Sequence, residues 1–461
     1  MENKHEVDMT SGNLFSKLFF VSLPLIFSGI LQLLYNAADL IVCGSFGSNH
    51  AVGAISATNA LINLIVNLFL GLSIGANVAM AKTFGQQDKD KAKRIVYTSI
   101  IFAITFGILV GLFGILMAKT FLEWMGTTDD VIELSTTYLR IYFLGLPASM
   151  IYNFGSSLLR ATGDTKRPFI YLAIAGVINV LLNLFFVLAC DMDVDGVAIA
   201  TITAQYISAI MIMICIIRNK GFISFRFKEI RFYAKEALEI IKIGIPAGIQ
   251  GVIFSFSNVI IQSSVNSLGT NVMDGNGASS SLEGFVYVAM NSVAHTSVAF
   301  ISANVGARKL QNIKKIVLYA LSIVLLMNLV FGGIILLFQN GLLGLYIRSS
   351  NQGYEEALRA AKGRLILICC TYFLCGFMDT LAFCLRGIGY SFTPMLVTLG
   401  GIFITRMVWI FSIFNTGIMH NITGIFISYP LSWIITAIIH MTLFIILYKR
   451  KLNGELVGKV V

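Results

Sequence analysis

Twelve apolar runs, each long enough to cross the roughly 30 Å hydrocarbon layer of a bilayer, follow one another along this chain. They fall near residues 18–42, 51–80, 95–118, 134–159, 169–189 and 196–217, then near 238–265, 281–304, 313–338, 360–385, 394–414 and 422–448. Lipid offers backbone N–H and C=O groups no partners, so each spanning segment must satisfy its own, as a helix does. The expected fold class is an all-α polytopic membrane protein of twelve transmembrane helices, six to a half. Composition agrees: 57% of the 461 residues are hydrophobic and 12% are charged, about half the charge of a soluble domain. Lipid is then the main solvent of the chain.

The net charge of +10 lies between the apolar runs, which argues against nucleic acid as a partner. Most lysines and arginines cluster at Lys82–Arg94, Arg160–Arg167, Arg218–Lys242 and Arg308–Lys315, and at the C-terminal end. These are the loops on one side of the membrane. The positive-inside rule places that side, and both termini, in the cytoplasm of a multi-pass cell-membrane protein. The outer connection after residue 338 breaks the pattern with Arg348, Arg359, Lys362 and Arg364, expected to join Glu355 and Glu356 in a short interfacial helix. The polar start, Met1–Ser16, precedes an apolar run too long for a signal-peptide core, so the first span is expected to be retained. Seven cysteines lie mostly within apolar runs and match no metal spacing, which suggests a reduced, structural role.

The two halves repeat. The stretch from Leu23, LPLIFSGILQLLYNAADLIVCGSFG, matches the stretch from Ile245, IPAGIQGVIFSFSNVIIQSSVNSLG, so Pro24 meets Pro246, Gly29 meets Gly251 and Asn36 meets Asn258. FGQQDKDKAKRIV then matches VGARKLQNIKKIV, and LRATGDTKRP matches LRGIGYSFTP. Parallel repeats place a substrate cavity near the midplane between two lobes and favour a transporter. The expected divisions are an N-lobe at 1–217, a cytoplasmic linker at 218–237 and a C-lobe at 238–461.

Polar side chains inside spans are costly and face the protein interior or a wet cavity. Ser28, Gln32, Tyr35, Asn36 and Asp39 share one face of the first span. Asp39 lies either buried or at the outer water interface. Burial would favour its neutral form and let it exchange a proton or hold a cation near neutrality. One charge crossing 100 mV releases about 2.3 kcal/mol, so a single carboxylate can link an ion gradient to a conformational change. Asn179 and Asn183 on the fifth span, with Thr201, Gln205 and Ser208 on the sixth, offer oxygens suited to a hard cation or to bonds between helices. Asn59, Asn63 and Asn67 form a stripe on the second span that lines a cavity or joins helices.

In the second half, Glu283, Tyr287, Asn291 and His295 are spaced four apart. Glu283 either contacts a cationic substrate or sits at a boundary, and His295 is either a satisfied interior histidine or a titrating relay. Asp379 is expected near the cytoplasmic edge. Arg406 is the basic residue inside a span, paired with a helix carbonyl or with Asp379.

Taken in order, Pro24, Tyr35 and Asp39, FGQQDKDKAKR, LLRATGDTKRP, LRGIGYSFTP and YPLSW resemble the multidrug and toxic-compound extrusion (MATE) family, in its prokaryotic subgroup with a first-span Asp. The resemblance runs through all twelve spans. It implies a V-shaped pair of six-helix lobes that open alternately, exporting amphipathic and often cationic drugs against H⁺ or Na⁺. It implies a cation site at Asp39, Asn179, Asn183 and Thr201, with Na⁺ the metal ion such a site would take. Position 183 is an amide where the related subgroup has a second acid, which leaves Asp39 the lone acid there and favours H⁺. The seventh-span acids of another subgroup are absent, Glu239 lying at the cytoplasmic edge. In the mechanism so implied, Gln32, Tyr35, Asn153 and Glu283 contact the drug and the first span bends near Pro24.

Other readings have less to carry them. A flippase for a lipid-linked precursor shares the architecture but needs a strongly cationic cavity. No HExxH, paired-acid or serine–histidine arrangement points to an enzyme, and no charged ring or filter-like loop points to a channel. The chain is expected to need no cofactor besides its coupling ion and to act as a monomer on small amphipathic molecules.

Overall fold

The computed structural model describes residues 6–46, 48, 50–347 and 353–457, with side chains up to residue 453; Arg348 lies outside the described residues. Among these, every regular element is helical and no strand occurs. Eleven helices are long and apolar enough to cross a membrane: Leu14–Phe46, Ala51–Gln86, Lys89–Trp124, Lys166–Ala189, Val194–Arg218, Ala234–Asn266, Thr270–Gly306, Gln311–Leu337, Tyr354–Gly387, Phe392–Phe414 and Ile422–Asn453. The remaining span, fourth in order, is built from Asp129–Leu144 and Leu146–Arg160, interrupted at Gly145 just before Pro147. A proline has no N–H to give and suits the first turn of a new helical segment.

The third span shows how these helices sort their faces. Ala103, Gly107, Gly111, Gly114 and Ala118 are buried along one side. Leu109, Leu112, Phe113 and Leu116 are exposed along the other, Leu116 at 78%. Lipid is as apolar as leucine, so large side chains lose nothing by facing it, and small ones let backbones approach. Phe143 of the fourth span fills the space left beside Gly114.

The duplication extends to the turns. Gln87 and Arg308 end the second and eighth spans, both with left-handed backbone at φ 60° and 56°. Gly163 and Gly389, which meet in the LRATGDTKRP and LRGIGYSFTP alignment, repeat it at φ 87° and 103°. Asp88 caps the third span by accepting from the Lys91 N–H at 2.9 Å. Lys82 and Lys91, around this turn, pair with Glu239 at 3.6 and 2.8 Å, and Arg94 pairs with Glu236 at 2.8 Å.

The chain divides into two compact units. The first comprises the residues up to Asp8 with Phe27–Gly248, and the second Met9–Ile26 with the residues from Ile249 onward. The first and seventh spans are each shared, changing unit after Ile26 and after Gly248. Those positions are equivalent in the duplication, and each lies two residues beyond a proline, Pro24 or Pro246. The connection before the seventh span packs onto the first unit, where Phe222, Ile223 and Phe225 are buried.

The outer connection before the tenth span differs from expectation. Tyr354–Gly387 is one helix of 34 residues, with Glu355 and Glu356 in its first turn. Glu355 and Glu356 thus belong to the span itself, and Arg364 is buried in the protein. The alanines at 357, 360 and 361 pack against neighbours and carry the helix inward past its charged start.

Candidate functional site

In the first unit, spans one, five and six converge on Asp39. Its carboxylate is buried, and Asn183 donates its side-chain N–H to Oδ1 at 2.5 Å. The Thr201 hydroxyl adjoins this carboxylate and donates to the carbonyl of Val197 at 2.9 Å. Asn179 donates to Thr201 Oγ1 at 3.4 Å. The four residues of the expected cation site therefore occupy one place. Val42, Cys43, Tyr138, Val187, Val197 and Ala198 form an apolar cluster around it. Asn183 is fully buried, and its Oδ1 has no donor. A carboxylate with an orphan oxygen beside it is chemistry that fits a proton or a small hard cation. Among the described residues no three His, Cys, Asp or Glu side chains gather to hold a metal ion, so a cation here would rest on one acid and neutral oxygens.

The expected drug-contacting residues are distributed differently. Tyr35 packs against Gly176 and donates its hydroxyl to the carbonyl of Ala173 at 3.2 Å. Gln32 and Asn36 are exposed, as are Asn59 and Asn63 of the second span. An amide held out against lipid in mid-span is costly, so these groups mark a wet face of the unit. Asn153 is half-buried and donates to Ser149 Oγ at 3.4 Å.

Glu283 lies in the second unit, where it lines a cavity. Both its oxygens are taken by Arg364, from Nε at 2.9 Å and from Nη2 at 2.7 Å. Nη1 of the same arginine donates to Asn276 at 2.5 Å. A fork-to-fork pair of this kind neutralises both charges in place. It lines a cavity of about 250 Å³ whose walls include Phe254, Tyr287, Tyr372, Tyr429 and Trp433.

Asp379 is buried, with Asn291 donating to it at 3.5 Å. The expectation for Arg406 is corrected: among the described residues it pairs with neither a helix carbonyl nor Asp379. It donates to Ser432 at 3.1 Å, Ser257 at 3.3 Å and Asn258 at 2.9 Å. Nor is it alone in the spans, because Arg364 and Arg386 are buried in the tenth. Sequence reading missed this aromatic-walled cavity, which the Glu283–Arg364 pair also lines. The available signal was Tyr372, Tyr429 and Trp433, aromatic residues inside the tenth and twelfth spans.

The MatE family model matches residues 24–185 and 246–411, one segment in each half. The chain is 24% identical over 446 residues to the probable multidrug resistance protein YoeA of Bacillus subtilis (strain 168), covering 94% of each. It is 21% identical over 388 residues to the multidrug export protein MepA of Staphylococcus aureus (strain bovine RF122 / ET3-1), covering 84% of this chain and 82% of MepA. It superposes on the outward-facing structure of a multidrug resistance MATE family transporter of the MOP superfamily with a TM-score of 0.90, at 18% identity, over 98% of this chain and 99% of that one. At that identity the structural likeness is one of fold. The two family matches cover most of the chain and coincide with its duplicated halves, so the protein belongs to the MATE family of transporters.

Proposed function

We propose that this transporter exports amphipathic small molecules, organic cations among them, across the cell membrane by antiport against H⁺ or Na⁺, with Asp39 as the coupling group. The observation that carries the reading is the buried Asp39 carboxylate held by Asn183, whose own oxygen lacks a donor. Ionised, Asp39 accepts from the amide nitrogen. Protonated, it has an O–H to give, and a half-turn of the amide presents Oδ1 to receive it. Sodium would be met by the same oxygens, Asp39, Asn183, Thr201 and Asn179, with a single negative charge to hold it. That charge count favours the proton.

Uptake of the cation removes the need for the Asn183 donor and so alters how spans one and five are tied. Pro24 lacks the N–H that would bond the carbonyl of Phe20, which leaves a weak point in the first span close to where it changes unit. Bending there is the proposed response, and it would change the wet face that carries Gln32, Tyr35 and Asn153. The relatives named as multidrug resistance and export proteins support the substrate class. The flippase alternative gains arginines it was thought to lack, but Arg364 is neutralised by Glu283, and no observation favours a lipid-linked pyrophosphate.

Ethidium efflux from cells, followed by fluorescence, tests the proposal. Asp39→Asn is expected to reach the membrane at wild-type level and to lose gradient-driven efflux. Efflux at the wild-type rate by a folded Asp39→Asn protein would sink it.

A further inference from the structure

The connection between the sixth and seventh spans has two faces. One is anchored to the first unit: Phe222, Ile223 and Phe225 are buried, and the Phe225 ring packs on Tyr97 of the third span at 5.3 Å. The stretch that follows, RFKEIRFYAK from Arg226 to Lys235, is turned outward. Phe227, Ile230 and Phe232 are 66%, 47% and 49% exposed. The bases Arg226, Lys228, Arg231 and Lys235 are interleaved with them and are exposed too. Glu229, the acid of this stretch, is engaged by Arg226 at 3.4 Å and by the Tyr97 hydroxyl at 3.2 Å. Among the described residues Lys228, Arg231 and Lys235 meet no carboxylate. Three positive charges are thus left uncompensated beside three large apolar side chains.

The depth of this stretch follows from what its rings touch. Phe232 meets Phe102 of the third span edge-on, with centroids 5.8 Å apart. Phe102 lies inside the apolar run that starts near residue 95, on the order of 10 Å along the helix at 1.5 Å per residue. Ile104 and Ile108, further along the same helix, are exposed on the surface that faces lipid. The exposed apolar strip also continues into the seventh span, through Leu238 and Ile245 on one helix face. The stretch therefore lies where hydrocarbon gives way to headgroups. Rings interleaved with bases suit that boundary, since acyl chains take the rings and phosphate takes the bases. The basic turn of the other half differs, because no large apolar side chain is exposed within Arg308–Lys315. We infer that the stretch from Phe227 to Lys235 is a binding site for anionic phospholipid of the cytoplasmic leaflet. Lys228, Arg231 and Lys235 receive its phosphate, and Phe227, Ile230 and Phe232 receive its acyl chains. This surface is separate from Asp39, and its role stands whichever ion drives export.

A tryptophan placed in the stretch reads the site directly. The full chain bearing Phe227→Trp is reconstituted in mixtures of phosphatidylcholine and phosphatidylglycerol, with one lipid or the other carrying dibrominated acyl chains. The emission of the unmodified chain, from Trp124, Trp409 and Trp433, is subtracted. The difference signal is expected to be quenched by either brominated lipid. The mixtures are expected to show association with phosphatidylglycerol stronger by roughly fivefold or more, the effect of even one base near an anionic surface. Lys228→Gln with Arg231→Gln is expected to bring that preference below about twofold. Lys314→Gln with Lys315→Gln removes the same charge elsewhere and is expected to leave it unchanged. A difference signal that neither lipid quenches overturns the inference, as does equal association with the two lipids. Both outcomes are read from the tryptophan reporter, whether or not the charge variants fold. A folded Lys228→Gln, Arg231→Gln protein that keeps the preference overturns it too, and so does an equal loss in both charge variants, which would reduce the effect to net charge. Full reversal by glycerol 1-phosphate at matched ionic strength would assign the bases to a soluble phosphate, and the lipid site would fall.

Discussion

Asn183 presents nitrogen to Asp39 and leaves its oxygen bare, which is the arrangement an ionised acid imposes on a neighbouring amide. Converting that amide to an acid sets two carboxylates in contact, and they cannot both stay charged without a cation between them. Asn183→Asp is therefore expected to make efflux more dependent on sodium than in the wild type, whereas Asn183→Leu leaves Asp39 without its donor and uncouples it. Inside-out vesicles given a proton or a sodium gradient separately would report this through ethidium transport. An Asn183→Asp protein with unchanged ion dependence counts against a cation site at this place. These residues were open to sequence reading because the fifth-span asparagines stand one turn apart and Asp39 closes a polar face of the first span. Arg364 was not. It lies near the edge of an apolar run, where hydropathy assigns it to a loop, and Glu283 stands far from it along the chain. No local spacing announces a pair made by two separate helices.

Helices in lipid are held by close approach rather than by hydrophobic burial, and in the first unit the second and seventh spans show the closest approach of this kind. Gly71 and Gly75 face Gly244 and Gly248, four residues apart on each helix. A Cβ at Gly71 would sit 2.1 Å from the Gly248 nitrogen, and one at Gly75 would sit 2.2 Å from the Ile240 carbonyl oxygen. Backbone cannot step aside as a side chain can. Gly71→Val is thus expected to force the helices apart at a cost of about 1–3 kcal/mol, read as a lower melting temperature in detergent. Gly333→Ala is the control, since nothing lies within 4 Å of a Cβ there and alanine is the better helix former. Equal melting of the two variants would show that this crossing does not hold the unit. The glycines of GLSIG and GIPAG were visible as small-residue pairs, but their partnership was not, because spacing on one helix says nothing about which other helix it meets. Element existence was far more legible. Each run of apolar residues became a span, and the fourth needed only Gly145 and Pro147 to explain its interruption.

The duplication that orders the whole molecule was legible down to its turns, because equivalent positions need the same backbone. Gln87 and Arg308 have unlike side chains yet share a left-handed conformation. The sites did not duplicate with the scaffold. The first unit buries an acid among amides and the second buries arginines among aromatics, a divergence that chain-wide alignment of the halves cannot show, since the architecture tolerates either polarity. Sidedness is the remaining property of the whole, and it rests on where the basic loops lie. If Lys82–Arg94 and Arg308–Lys315 are cytoplasmic, the connection between the fifth and sixth spans is outside. Cys190 stands in that connection and is exposed. Cys370 is also exposed, but in the middle of the Tyr354–Gly387 helix, at the depth of the hydrocarbon layer such a span crosses. A membrane-impermeant maleimide applied to intact cells is therefore expected to label the protein, and Cys190→Ser to abolish the labelling. Were labelling to appear only after the cells are permeabilised, the orientation would be inverted. Asp39, which lies toward the same end of the bundle as Cys190, would then load from the cytoplasm, and the direction of export proposed for this transporter would fall with it.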